Sequence, residues 1–312
     1  MAGVLYIVPT PIGNLEDITE RARRVLGSVG TIAAEDTRRC RKLLQLLDIP
    51  VPQLIALHEH NEAAAVKGVQ QLLAGGQDVA LVSDAGTPLV SDPGHLLLRG
   101  LWAASPSDSS GLAAPSADVQ GDVGDVGDVG DVGDVDVVEG VKIVPLPGPS
   151  AVTTLLSACP LPLNQFTFAG FLPAKPEQRK QRLSLILQAQ AATVVFESPH
   201  RIAATLGQVA ELAPQRRVFV GRELTKLHES LRLGTASELL AQLQVRSEFR
   251  GEFALVIEGC GAATTDSMEE VQRLLAIVGE EMPPAQAARL VAKITGRPKS
   301  EIYTAGISSR SD

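Results

Sequence analysis

The chain has 312 residues, with 28 Lys and Arg against 36 Asp and Glu and a formal net charge of −8. Its 45% apolar and 21% charged residues give a globular composition with material for one large or two medium cores. Taken whole, the acidity argues against a nucleic-acid partner, but it is local: positions 105–140 hold eight Asp, one Glu and no Lys or Arg, and without them 28 positive charges face 27 negative, so net charge excludes no partner.

In chain order, short β-rich runs alternate with helical stripes. Strands are expected at Leu5–Val8, Thr31–Ala34, Leu54–Leu57, Val79–Val82 and Val141–Leu146. Between them, Ile18, Ala22, Val25 and Leu26 fit one helical face, with Asn14 as its N-cap. Leu43, Leu44, Leu46 and Leu47 form a second stripe, and Val66, Val69, Leu72 and Leu73 a third. A further helix is expected over His95–Ala104. This alternation predicts a mostly parallel sheet with helices on its faces.

Residues 105–139 break the rhythm. SPSDSSGLAAPSADVQ leads into five GDV triplets from Gly121 to Val135. No proline occurs in the triplets, which excludes collagen, and the motif is too short for a calcium β-roll. Low hydrophobicity and unbalanced charge predict a disordered acidic insertion, tolerable because loop closure costs grow slowly with length.

In the second half, strands are expected at Gln165–Phe171, Ala192–Phe196, Arg217–Val220, Leu231–Thr235 and Phe253–Glu258, with helices over 177–189 and 200–212. Their close late spacing predicts a mixed sheet. From about Thr264 the pattern is helical, over Met268–Val278, Pro284–Ile294 and a short last helix around Glu301. The domains read as 1–146 (α/β, carrying the insertion), 147–262 (α/β) and 263–312 (a small helical appendage).

Cys40, Cys159 and Cys260 lie far apart, without zinc spacing, so a disulfide scaffold and a zinc site are excluded and a reducing cytosol is the natural compartment. The N-terminus lacks a signal-peptide n-region, and no apolar run approaches the ~20 residues that span a bilayer. Aromatics at 3% are too few for a surface built on stacked bases.

Ligands of open α/β sheets bind beyond the carboxyl ends of strands, and polar residues collect there. The segments are 9–14 (PTPIGN), 35–38 (EDTR), 58–61 (HEHN), 83–88 (SDAGTP), 147–150 (PGPS), 197–201 (ESPHR) and 221–223 (GRE). Their Gly and Pro content suits close approach of a ligand to backbone. Both GxGxxG and the Walker motif are absent. Glu35, Asp36, Glu59, Glu197 and Glu223 offer acid/base or metal-ligand carboxylates. N-capping and pairing with Arg38, Arg201 and Arg222 accounts for most of them, and no metal site is expected. His58, His60 and His200 lie at the same edge. Short basic runs at Arg21-Arg23-Arg24, Arg38-Arg39-Arg41-Lys42, Arg179-Lys180-Arg182 and Arg216-Arg217 are either solvated faces or phosphate contacts to RNA.

Taken in order, nine motifs carry a resemblance: LYIVPTPIGNLEDIT, AAEDTRRCRKLL, LHEHNE, VALVSDAGTPLVSDPG, VPLPGPSAVTTLL, FAGFLPAK, VVFESPHRI, VGRELTKLHE and RGEFALVIEG. They resemble the tetrapyrrole-methylase superfamily of S-adenosylmethionine enzymes, and within it the methyltransferases of small-subunit ribosomal RNA. The resemblance covers about 4–104 and 140–260, plus the helical end. It departs at the insertion and at the final GISSRSD.

The resemblance implies two α/β domains, homodimerisation, and 2′-O-methylation of a cytidine ribose in the decoding region of 16S ribosomal RNA. It points to a cofactor lining of Pro11, Ile12, Asp84, Ala85, Gly86, Thr87, Pro88, Val90, Ser150 and Ala151, with Phe168, Ser198 and Phe253 from the second domain. Arg38, His58, Asn61, Glu197, Arg201, Arg222 and Lys226 would face the nucleotide. A ribose hydroxyl must lose its proton as it attacks, to a positioned base or under the field of a cation. Glu197 or His58 is the expected base, and Arg38, Arg222 or Lys226 the expected cation. The rivals are a corrin-type small-molecule methyltransferase, whose first turn carries a GPGD pattern where this chain has TPIGN, and a non-catalytic ribosome-assembly factor that keeps the fold.

Overall fold

The computed structural model describes residues 1–58, 61–103, 140–246, 248–260, 268–295, 298–299 and 301–302, without the side chains of 103, 268–270, 280 and 281. Glu59, His60, the insertion at 105–139 and the GISSRSD end lie outside the described residues. The chain divides into two compact units: Met1–Ala158 with Gly221–Ser230, and Cys159–Val220 with Leu231–Asp312.

The first unit is built on β1 (Val4–Ile7), β2 (Thr31–Ala34), β3 (Gln53–Ala56), β4 (Val79–Val82) and β5 (Lys142–Pro145), in sheet order β3-β2-β4-β1-β5. Every pairing is parallel, with Leu5 opposite Val79 and Ile143, and Ile32 opposite Ala80 and Leu54. Central β2 and β4 are buried at every position, while edge β3 and β5 are not; continuous apolar runs are what a sheet covered on both faces requires.

The period-2 alternation of the strands sorts their side chains to two helical layers. Val8, Ile32, Ala34, Ala80 and Val82 pack with α1 (Glu20–Ser28) and α2 (Thr37–Leu46). Leu5, Ile7, Ala33, Val79 and Leu81 pack with α3 (Glu62–Ala74) and α4 (His95–Ala103). The capping residues differ from the sequence expectation. Asn14 caps a single 3-10 turn at Leu15–Asp17, accepting from the Glu16 N–H at 3.1 Å; α1 is capped by Thr19, whose hydroxyl accepts from the Ala22 N–H at 3.1 Å. Two capping-type residues, each just before acidic first-turn residues, divide the stretch into two elements. The short α5 (Ala151–Ser157) follows β5 and was not expected from periodicity.

The second unit contains β6 (Phe166–Phe171), α6 (Pro176–Gln188), β7 (Ala192–Glu197), α7 (Ile202–Leu212), β8 (Arg217–Arg222), β9 (Ser230–Thr235), α8 (Ala236–Arg246) and β10 (Phe253–Ile257), with the last residues of β8 and the first of β9 falling in the first unit's segment. The sheet order is β6-β7-β10-β8-β9. β6 runs parallel to β7, and β10 antiparallel to it, so this sheet is mixed. One core joins Leu183 and Ile186 of α6, Ile202 and Leu206 of α7 and Leu239 and Leu243 of α8 to the sheet. The sequence expectation placed no helix between Leu231–Thr235 and Phe253–Glu258. The signal for α8 is a capping box: the Thr235 N–H donates to the Glu238 carboxylate at 2.8 Å, which holds that carboxyl below its usual range. After it, α9 (Met268–Glu281) and α10 (Pro284–Thr295) share their own small core of Val271, Ala288, Val291, Ala292 and Ile302. No helix among the described residues is long and apolar enough to cross a membrane.

Candidate active site

β2 and β4 are neighbours whose onward connections leave in opposite directions, to β3 at one edge and β5 at the other. Such a reversal opens a crevice beyond the carboxyl ends of the strands. The turns that leave β1, β2, β4 and β5 in the first unit meet there.

The turns after β1 and β4 are stitched together. Thr10 and Gly86 exchange backbone hydrogen bonds of 2.9 Å, and the buried Thr10 hydroxyl donates to the Ser83 carbonyl at 3.3 Å. The turn after β5 joins them through the Thr87 hydroxyl, which donates to the Pro149 carbonyl at 2.9 Å. Gly86 has φ +86°, and a Cβ there would stand 3.3 Å from Ile12 Cγ2. A Cβ on Gly148 would stand 2.7 Å from Pro9 Cβ. Glycine is therefore required where the turns touch.

The β2 exit is tied to the same place by Asp84. Its Oδ1 accepts from the Asp36 N–H at 3.1 Å, and its Oδ2 pairs with Arg39 Nη1 at 3.0 Å. The Asp84 N–H in turn donates to Glu35 Oε2 at 3.2 Å. Asp36 caps α2 through the Arg38 N–H at 2.8 Å, and the Arg38 guanidinium beside it holds its carboxyl well below the usual range. Beyond Asp84 the loop carries strain: Leu89 and Ser91 have φ of 73° and 70°, at a cost of about 1–3 kcal/mol each for non-glycine residues. Asp92, between Ser91 and Pro93, is pushed up to about 6, chiefly by burial and further by Glu35 and Asp84, against a hydrogen bond from Ser83.

The first unit also holds Gly221–Ser230. Here Lys226 Nζ pairs with Glu223 at 2.9 Å, and Arg222 Nη1 donates to the His228 carbonyl at 3.3 Å. The stem of Lys226 lies on the first turn, so a Cβ on Gly13 would fall 2.3 Å from Lys226 Cγ. Glu223 and Thr225 both have positive φ, 54° and 65°. At the β3 exit the Asn61 side chain clamps His58, accepting from its N–H at 2.9 Å and donating to the Ala56 carbonyl at 2.9 Å.

Of the residues expected in the site, Pro11, Ile12, Asp84, Ala85, Gly86, Thr87, Pro88, Val90, Ser150, Ala151, Arg38, His58, Arg222 and Lys226 belong to the first unit. Phe168, Glu197, Ser198 and Phe253 belong to the second. There, Glu197 is fully enclosed: Oε1 accepts from the Ser198 N–H at 2.8 Å and from Arg201 Nε at 2.7 Å, and Oε2 from the Thr205 hydroxyl at 2.6 Å. Both oxygens bind the start of α7, which is the arrangement of an anchor, where a base needs an open lone pair. Phe168 packs edge-on to Phe196 with centroids 5.0 Å apart, and Phe253 is buried opposite Glu197.

Sequence reasoning named Ser83 only within the 83–88 segment and Arg39 only within a basic run, and gave Asp92 no role. A usable signal is the Ser-Asp pair repeated within 83–92: the first pair leaves the strand, and the second folds back onto it. Among the described residues no group of three or more His, Cys, Asp or Glu side chains is placed to hold a metal ion.

The glycine-lined, cross-bonded turns lie where open parallel sheets bind their ligands, and the family model that matches most of the chain gives the class, a methyltransferase of the tetrapyrrole-methylase type. The model of the Tetrapyrrole (Corrin/Porphyrin) Methylases matches residues 4–110 and 119–240, and that of the RsmI C-terminal HTH domain matches 265–310. The solved structure of the methyltransferase CobJ is similar at TM-score 0.53, with 17% identity, covering 84% of this chain and 96% of that one. Ribosomal RNA small subunit methyltransferase I of Xylella fastidiosa is 39% identical over 303 residues, covering 96% of this chain and 98% of the relative. Its counterpart in Escherichia coli O157:H7 is 41% identical over 304 residues, covering 96% and 93%. The chain belongs to the ribosomal RNA small subunit methyltransferase I family. It is a methyltransferase that takes its methyl group from S-adenosylmethionine.

The residues present fit that cofactor. Glycine at 86 and 148 lets the turns close on one another without a side chain between them, beside the apolar Pro11, Ile12 and Val90.

Proposed function

We propose that this enzyme methylates the ribose 2′-oxygen of a cytidine in the decoding region of 16S ribosomal RNA. The observation that carries the reading is the near full-length identity, 41% over 304 residues, to a relative named for small-subunit ribosomal RNA. The first turn, Thr10-Pro11-Ile12-Gly13-Asn14, supports RNA over a corrin substrate, because it lacks the acidic GPGD ending of corrin enzymes. The exposed cations around the site support a polyanionic substrate over a neutral one.

In this reading Pro11, Ile12, Asp84, Ala85, Gly86, Thr87, Pro88, Val90, Ser150 and Ala151 hold S-adenosylmethionine. The bound cofactor supplies an electrophilic methyl on a sulfonium. The protein aligns the hydroxyl and removes its proton. His58 is the favoured base, because its backbone is fixed by Asn61 while the Glu197 oxygens are engaged by three donors. Lys226, lying on the first turn, is the favoured cation beside the developing alkoxide, ahead of Arg38 and Arg222. The enzyme works as a homodimer in the bacterial cytoplasm; Cys40, Cys159 and Cys260 form no disulfide with one another, which suits a reducing compartment.

The test is a map of ribose methylation on 16S RNA from cells with and without the gene. One cytidine in the decoding region loses its 2′-O-methyl group in the deletion strain and regains it on complementation. An unchanged map overturns the reading.

A further inference from the structure

We propose that the exposed face of α2 is the docking surface for the phosphate backbone of the RNA substrate. The proposal rests on the reading above and assigns a place to the RNA, which that reading leaves open.

The sequence has four short basic runs, and the structure separates them. In the second unit four of the five cations in these runs are engaged by protein, Arg182 being the exposed one. Arg179 is buried with its Nε on Gln208 at 2.8 Å, and Lys180 pairs with Glu211 at 2.6 Å. Arg217 pairs with Glu258, and Arg216 donates to the Glu258 carbonyl at 2.7 Å. On α2 the reverse holds. The Arg38 and Arg39 side chains are 86% and 69% exposed even while paired with Asp36 and Asp84. Arg41 and Lys42 are exposed and form no ion pair among the described residues.

At 3.6 residues per turn, Arg38, Arg39, Arg41 and Lys42 fill an arc of about 160°. The buried Cys40, Leu44 and Leu47 fill the opposite side. The arrangement works against the helix. Arg38 and Arg39 occupy the first turn, where the macrodipole favours anions, and that turn holds no acidic residue. Asp36 at the N-cap and Asp84 offset these two cations in part, and the rest of the basic face is left to solvent.

The face also begins at the site, since Arg39 is bonded to Asp84 in the turn proposed to hold the cofactor. It continues onto α1, which packs on the same side of the sheet and exposes Arg21 and Arg24. The Arg23 Nη2 joins the two helices through the Leu47 carbonyl at 3.0 Å. These cations diverge and do not converge on one point. That suits an extended polyanion read without regard to sequence, and not a single phosphate group.

The experiment compares the full-length enzyme with Arg41→Gln/Lys42→Gln and with a control of equal charge loss, Lys175→Gln/Arg182→Gln on and beside α6. Binding to naked 16S RNA and to small ribosomal subunits lacking the methyl group is measured against salt, beside S-adenosylmethionine affinity and melting temperature. The α2 variant is expected to lose about tenfold in RNA affinity at 0.15 M salt. Its log–log salt slope falls by about 1.4–1.8, as for two lost phosphate contacts, with melting and cofactor affinity unchanged. An equal loss in the α6 control, or an unchanged slope in the α2 variant, overturns the proposal. Loss of binding to subunits with naked RNA binding intact also overturns it, in favour of an acidic protein partner. If the wild-type enzyme leaves 16S RNA unmethylated, the functional reading fails first, and separately.

Discussion

Thr10 and Gly86 exchange backbone hydrogen bonds of 2.9 Å in both directions, joining the turn after β1 to the turn after β4. The bridge forms only because Gly86 adopts φ +86°. An L-residue there carries about 1–2 kcal/mol of strain, and its Cβ presses on Ile12. We expect Gly86→Ala to lower the melting temperature by a few degrees and to weaken S-adenosylmethionine binding about tenfold in calorimetry. Unchanged cofactor affinity in a destabilised variant would show that the bridge serves folding alone.

Gly13 answers a different question. A methyl group there lands 2.3 Å from Lys226 Cγ and 2.9 Å from Thr225 Oγ1, so the lysine must move. If Lys226 stabilises the attacking oxygen, Gly13→Ala lowers kcat and leaves cofactor affinity near wild type. Its effect then vanishes in a Lys226→Ala background, because both changes act through one ammonium group. Additive losses would detach Lys226 from catalysis.

Glu197 was an expected base, and its surroundings recast it. Removing its charge leaves Arg201 facing a neutral amide in place of its 2.7 Å carboxylate partner and weakens the hold on Thr205. Breaking a buried pair on one side costs about 3–5 kcal/mol. Glu197→Gln should therefore unfold more easily, while the activity of the folded fraction keeps its pH profile. The opposite result, an unchanged melting curve with activity down more than about a hundredfold, would restore Glu197 as the base.

The sheet of the first unit was legible because a parallel, doubly covered strand must be apolar throughout. Thr31–Ala34 and Val79–Val82 are read directly as strands and observed as such. α8 was not legible from periodicity alone, since Leu239, Leu240 and Leu243 are few; its start is written instead in the Thr235 and Glu238 capping box. Turn sequences show where a site lies but not who is already engaged. Asp84 and Glu197 look alike as acidic residues at strand ends. Only the fold reveals that one braces two turns beside exposed arginines while the other is sealed under Arg201 and Thr205. The roles of Ser83 and Asp92 depend on a loop folding back over β4, a tertiary event that no local pattern encodes.

Asp92 gives the last prediction, and its sign follows from burial. The folded carboxyl is raised to about 6 from an ordinary 3.8, with Glu35 and Asp84 facing it, Arg39 paired to Asp84, and Ser83 as its hydrogen-bond donor. Between those two values the folded state holds more protons than the unfolded chain. This group's contribution is therefore fully present below about pH 4 and lost as pH rises through 6. Asp92→Asn keeps an acceptor for Ser83 and removes the charge. It should melt higher than wild type at pH 8, by an amount worth about 1–3 kcal/mol, and the gap should close towards pH 5. Melting curves of the two proteins across pH 5–8 decide the matter: a gap that stays constant would mean Asp92 does not titrate in this window.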